Sequence, residues 1–235
     1  MSILTYDLCF LHCTKADTSF GIVTYIASVY QLEAAFDLSF AAQSTDPAKS
    51  DITALNKRLE WQRDNGSQGL CFVPLNTNSL RLICFADSSF TNNKDLTSQI
   101  GFIIVLADTA SNANIIHWSS IKCKRVTRSV LASELYAMTH GFDAAAAIKS
   151  TITELLHLPK PLPLTICTDS KSLYECLIKL STTQEKRLMI DLMCLRQSYE
   201  RQEITELINT NKLRINSEAW VERTPASPPA TPFRS

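Results

Sequence analysis

The sequence predicts an α/β domain on a mixed sheet: a three-strand antiparallel meander extended by parallel strands, with helices packed on it. Three observations predict this. Apolar runs at Leu80–Ala86, Ile100–Ala107 and Asn114–Ser119 follow closely, with a short polar turn, Asp108–Ala113, between the last two. Such spacing favours hairpins. A long stretch rich in Ala, Leu and Glu comes next, and a fourth apolar run, Leu164–Thr168, follows Pro159, Pro161 and Pro163. The resulting order is three strands, helix, strand, helix, helix, strand, which fits hairpins first and crossover connections afterwards.

Residues 1–18 show no clear period. A helical run covers Gly21–Phe36, and a better one covers Asp51–Asn65. There Ile52, Leu55 and Leu59 recur at i, i+3 and i+7, behind Ser50 as N-cap and ahead of Gly66 as a stop. Leu70–Leu75 is a short apolar stretch leading to the polar turn Asn76–Ser79. The first strand ends at Asp87 and the fourth at Asp169. The long helix starts at about Arg128 and runs to Ser150 or beyond. A helix through Leu180, another over Thr183–Arg201 and a last strand, Glu203–Ile208, complete the pattern. The end, TPASPPATPFRS, holds four of the nine prolines and predicts a disordered tail.

Composition narrows the chemistry. Five glycines in 235 residues, none spaced for a dinucleotide-binding or P-loop fingerprint, argue against a glycine-built phosphate cradle. The 23 basic and 23 acidic residues cancel, which argues against a globally basic nucleic-acid binder but allows a local patch. No apolar run approaches the roughly 18 residues of a bilayer span. The N-terminus, with Asp7 in its apolar stretch, makes a poor signal peptide. An intracellular protein, cytoplasmic or nuclear, is expected, with no membrane partner. Cys71, Cys84 and Cys167 fall in strand-like runs and Cys176 and Cys194 in helix-like ones, as buried reduced thiols would. Cys9, His12 and Cys13 lack the second pair that a zinc site needs.

The carboxylates carry the most specific chemistry. If the first and fourth strands are parallel neighbours, Asp87 and Asp169 emerge at one edge of the sheet, where open α/β sheets place their sites. Glu134, early in the long helix, can reach the same place. Three converging carboxylates repel one another unless divalent cations neutralise them, and all-oxygen donors suit Mg²⁺ or Mn²⁺. A pair of such ions can activate water for phosphodiester hydrolysis. Spacing alone leaves the plainer reading open, in which the aspartates cap turns and Glu134 lies on a solvated helix face. His117, between Ile116 and Trp118, reads as a packed strand residue, and His140 and His157 have no nameable partners. Lys122, Lys124, Arg125 and Arg128 crowd between the third strand and the long helix. They form either a grip for a phosphate backbone or a solvated loop.

The run IIHWSSIKCKRVTRSVLASELYAM resembles the tryptophan–serine–serine–lysine segment and following acidic helix of copia-type retrotransposon ribonuclease H. FADSSF and ICTDSKSL are similar to that family's first and third acidic motifs, in the same order. YIASVYQLEAAFDLSFAAQ and ALNKRLEWQRDNGSQGLCF resemble the stretch joining reverse transcriptase to ribonuclease H. The resemblance spans roughly Thr24–Glu206. It implies a connection segment over 1–78, a ribonuclease H-like domain over 79–208 and a divergent tail over 209–235.

It also implies an endonuclease that cuts the RNA strand of RNA/DNA hybrids with two Mg²⁺ ions. Asp87, Glu134 and Asp169 would hold metal, Glu134 would also position the attacking water, and remaining reverse transcriptase segments would be partners. Hybrids are told from DNA by shape and by the 2′-hydroxyls. The family carries a fourth acidic residue after its last strand, usually an Asp opening a final helix. This chain has no Asp after Asp191. Glu203 or Glu206 is the available substitute, and the closing helix is expected to be missing. Two alternatives stand beside the enzyme: an inactive remnant with weak nucleic-acid binding, and an α/β interaction module.

Overall fold

The computed structural model describes residues 18–43, 46–67, 69–93, 95–179 and 185–210. The expectations for Cys9, His12, Cys13 and the Pro-rich tail, including the missing closing helix, lie outside the described residues.

Five strands form one sheet: β1 (Arg81–Ser89), β2 (Gln99–Ala107), β3 (Ala113–Lys122), β4 (Leu164–Thr168) and β5 (Glu206–Asn209). Their order is β3-β2-β1-β4-β5. The first three pair antiparallel, and β4 joins β1 and β5 in parallel. This is the mixed sheet expected, a three-strand antiparallel meander extended by parallel strands. Alternation along β1 explains which face is covered. Leu82, Cys84 and Ala86 are buried toward the helix α4 (Val130–Leu155), whereas Phe85 and Asp87 lie on the other face and are exposed. All five residues of β4 are buried, as suits an interior parallel strand.

The long helix α4 begins where Ser129 Oγ accepts the Ala132 N–H at 3.2 Å, within two residues of the start expected at about Arg128. Its Ala-rich face packs Ala132, Leu135, Met138 and Ala145 on the sheet. Two shorter helices, α5 (Lys171–Ile178) and α6 (Met189–Glu200), add Leu173, Leu177, Leu192 and Leu195 to this core. In α5, Ser170 Oγ accepts from the Leu173 N–H.

Several boundaries differ from expectation. Asp87 does not end its strand: β1 continues to Ser89 because β2 is long enough to pair Ser88 with Ile100 and Ser89 with Gln99. The Gly21–Phe36 helix is two, α1 (Thr18–Val29) and α2 (Ala35–Gln43), broken at Gln31. Gln31 is buried and leaves helical geometry (φ −120°, ψ 68°). Its amide donates to the Asn65 carbonyl at 3.2 Å and accepts from Gln62 at 3.1 Å, tying the break to the next helix, α3 (Lys49–Asp64). That helix starts after Ala48, not Ser50. The Asp51 carboxylate accepts the Ala48 N–H at 3.0 Å and so fixes the first turn. Its inner face is Leu55, Leu59 and Gln62, leaving Ile52 44% exposed. Cys71 and Cys194 are exposed, because the 70–76 stretch forms no strand and α6 turns Leu192 and Leu195 inward instead. Every described cysteine is a free thiol.

The N-terminal helices form a second apolar cluster, Val23, Ala27, Ala34, Leu38 and Leu59. They sit on the sheet face opposite α4. Trp118 Nε1 donates to the Ala27 carbonyl at 3.0 Å, and Gln99 Nε2 donates to Ser39 Oγ at 3.0 Å. A bulge at Ile116 shifts the β2–β3 register, and beyond it Trp118 is buried beneath these helices. His117 is exposed rather than packed inside, its ring centroid 5.6 Å from that of Phe102. Among the described residues, no helix is long and apolar enough to cross a membrane.

Candidate functional site

The parallel ladder between β1 and β4 ends at the pair Phe85–Cys167. Two residues later on each side come Asp87 and Asp169, so one register fixes both carboxylates on one face at the carboxyl ends of adjacent strands. Glu134 enters from the second turn of α4. One ligand oxygen from each of Asp87, Glu134 and Asp169 lies within 4.8 Å of the others. The sequence-derived trio therefore converges.

The three environments differ. Asp87 and Asp169 are exposed, whereas Glu134 is 5% exposed. Glu134 Oε1 accepts from Ser88 Oγ at 2.7 Å, while Glu134 Oε2 is buried with no hydrogen-bond partner. Asp87 Oδ1 accepts the Ser88 N–H at 2.7 Å. Burial pushes the Glu134 carboxyl up to about 7; the Ser88 hydroxyl opposes this, and the charges of Asp87 and Asp169 add to it. Asp87 is also raised, first by burial and then by Asp169, against the lowering effect of the Ser88 N–H. Raised carboxyls and a buried oxygen without a protein partner suit a site that gathers positive charge. The donor set fits a divalent cation that prefers oxygen, of the Mg²⁺ or Mn²⁺ type.

Sequence reasoning missed Ser88 and Ser133. Ser88 Oγ also lies 2.9 Å from Ser133 Oγ, whose own proton goes to the Val130 carbonyl at 2.9 Å. Only the serine that follows the aspartate in FADSSF hinted at such a link, and its target depends on where α4 crosses β1.

Glu203 and Glu206 do not reach the trio. Glu206 pairs with Thr165 at the opposite end of the ladder from Thr168–Asn209, about 10 Å away along the strand. Glu203 precedes β5, and its carbonyl accepts from Lys149 Nζ at 2.9 Å. Among the described residues the acidic group holds three carboxylates.

The basic quartet is split by pairing. Lys122, on the last residue of β3, pairs with Asp95. Arg125 pairs with Asp191 at 2.7 Å and lies over the Tyr136 ring, 4.8 Å from its centroid. Lys124 and Arg128 are exposed. An open cleft of about 400 Å³ runs from Asp87 and Asp169 to Phe36, Phe85, Ile103 and Trp118, between α2 and the sheet. Phe85 is 43% exposed in it.

No protein-family model matches the chain. Over 171 residues, 70% of the chain, it is 26% identical to the Retrovirus-related Pol polyprotein from transposon RE1 of Arabidopsis thaliana. The chain spans 11% of that relative's length. This relative, a copia-type Pol polyprotein, is of the kind the acidic motifs resemble. Solved structures show distant likeness. LC11-RNase H1 from compost, also solved in complex with an RNA/DNA hybrid, is 13% identical, with 55% of this chain and 82% of that one covered at a TM-score of 0.40. Prototype Foamy Virus protease-reverse transcriptase is 15% identical, with 63% and 20% covered at a TM-score of 0.33.

Proposed function

We propose that this segment, similar to part of a copia-type Pol polyprotein, is a ribonuclease H-like endonuclease that hydrolyses the RNA strand of RNA/DNA hybrids. The observation that carries the reading is the buried, unpartnered Oε2 of Glu134 beside two aspartates at the carboxyl ends of neighbouring strands. Asp87, Glu134 and Asp169 would hold divalent cations, Mg²⁺ or Mn²⁺, in the two-ion manner the resemblance implies. Bound there, such ions supply Lewis acidity to a phosphate and lower the pKa of a water.

The chain's own residues have separate tasks in this reading. Asp87 and Asp169, exposed on the cleft, face the incoming phosphate. Glu134, with Oε1 held by Ser88, presents Oε2 to the cations and to the attacking water. Lys124 and Arg128 contact phosphates beyond the scissile one. The helices α1–α3 serve as the connection to reverse transcriptase segments, which remain the proposed protein partner.

A second reading, an inactive remnant that still binds hybrids weakly, is favoured by the count of three carboxylates among the described residues. Purified full-length chain, given labelled RNA/DNA hybrid with Mg²⁺ or Mn²⁺, distinguishes the two. The proposal expects cleavage that EDTA abolishes and that Asp87→Asn lowers by at least about 100-fold. Hybrid binding without cleavage under either metal supports the remnant. Neither binding nor cleavage supports the interaction module.

A further inference from the structure

We infer that Ser88 is a positioning residue for the cation site, a role that rests on the proposed metal-dependent reading. It touches two of the three carboxylates by different means. Its backbone N–H fixes Asp87 Oδ1 at 2.7 Å, and its hydroxyl reaches Glu134 Oε1 at 2.7 Å. The pleat makes both possible: Asp87 and Ser88 are adjacent in β1, so one side chain faces the cleft and the other faces α4.

Proton accounting gives the hydroxyl its direction. Ser133 donates its proton to the Val130 carbonyl, so it offers only a lone pair to Ser88. The single Ser88 proton then has two acceptors, Ser133 Oγ at 2.9 Å and Glu134 Oε1 at 2.7 Å. The carboxyl oxygen of Glu134 is the nearer acceptor. With Oε1 so held, the Glu134 side chain presents Oε2, the oxygen without a protein partner, to the position shared with Asp87 and Asp169. Removing the hydroxyl takes away the side-chain donor that holds Oε1 and loosens the terminal torsion of a buried carboxylate, so the ligand is no longer oriented before the ion arrives.

The test titrates Mn²⁺ alone into the full chain by calorimetry, comparing the parent with Ser88→Ala, Ser88→Thr, Ser88→Cys and Glu134→Gln, with a thermal melt of each. Ser88→Ala should weaken Mn²⁺ binding by roughly 10–100-fold, while Ser88→Thr, which keeps the hydroxyl, stays within about threefold. Ser88→Cys, a poor donor of similar size, should fall between them, and it decides the matter if Ser88→Ala does not fold. Parent-like affinity in Ser88→Ala or Ser88→Cys, with binding lost in Glu134→Gln, overturns the role of Ser88 and leaves the cation site standing. Unchanged affinity in Glu134→Gln overturns the cation site itself.

Discussion

At the scale of the residue, Glu134 links the site to stability. Its carboxyl titrates at about 7 in the folded chain and at its ordinary value of 4.5 when unfolded. Between those values the folded state holds a proton that the unfolded state has released. Stability is therefore full at acid pH and is lost as pH rises through 7. Asp87, also raised, adds a loss of the same sign at lower pH. Without metal, the Tm of the parent should fall between about pH 5 and pH 8, and the Tm of Glu134→Gln should fall less. Adding Mg²⁺ should raise Tm more at about pH 8 than at about pH 6, where the ion competes with the proton. Calorimetric scans check both, and a parent Tm that climbs across this range without metal would contradict them. The trio was legible in the sequence because ordered motifs carry it. Ser88 was not, since its partner is fixed by where a helix crosses a strand. The pairing of Lys122 and Arg125 was hidden too: Asp95 and Asp191 lie far from them in the sequence.

At the scale of the element, α4 and its contact with β1 decide most of the packing. Gly141 shows how tight that contact is. A Cβ there would meet Cys84 Sγ at 2.8 Å and Phe102 Cβ at 3.2 Å. Alanine would gain about 1 kcal/mol of helix propensity but overpack the layer at a cost of about 1–3 kcal/mol. The clash should win, because Cys84 is fully buried in a strand and has little room to yield. Gly141→Ala is expected to lower Tm by about 2–6 °C, and the double variant with Cys84→Ala should lose less than the sum of the two. A cycle of thermal melts measures this. Element types and order were readable from periodicity, as the three-strand run and the single long helix show. Boundaries were not. Gln31 breaks a good helical pattern because its amide is drawn to α3, and β1 outruns its apolar residues because β2 offers partners.

At the scale of the whole molecule, zero net charge conceals a local asymmetry. Lys124 and Arg128 should supply most of the salt-dependent attraction to a hybrid. The pair Lys122 and Arg125 should supply less, since both already face carboxylates. Replacing Lys124 and Arg128 together by Ala should reduce the slope of log K against log salt by about 1–2, measured by anisotropy with a labelled hybrid. The same replacement at Lys122 and Arg125 should change it less. The strand order also dictates a timetable during synthesis. The meander and α4 are contiguous in the chain, whereas β4 slots beside the central strand only after residue 168 has left the ribosome. Until then the free side of β1 is a bare edge, open to pairing with another chain, and α4 shields only one of its faces. Asp169 arrives with the strand that closes that edge. Completion of the carboxylate trio and protection from aggregation are therefore acquired in the same step.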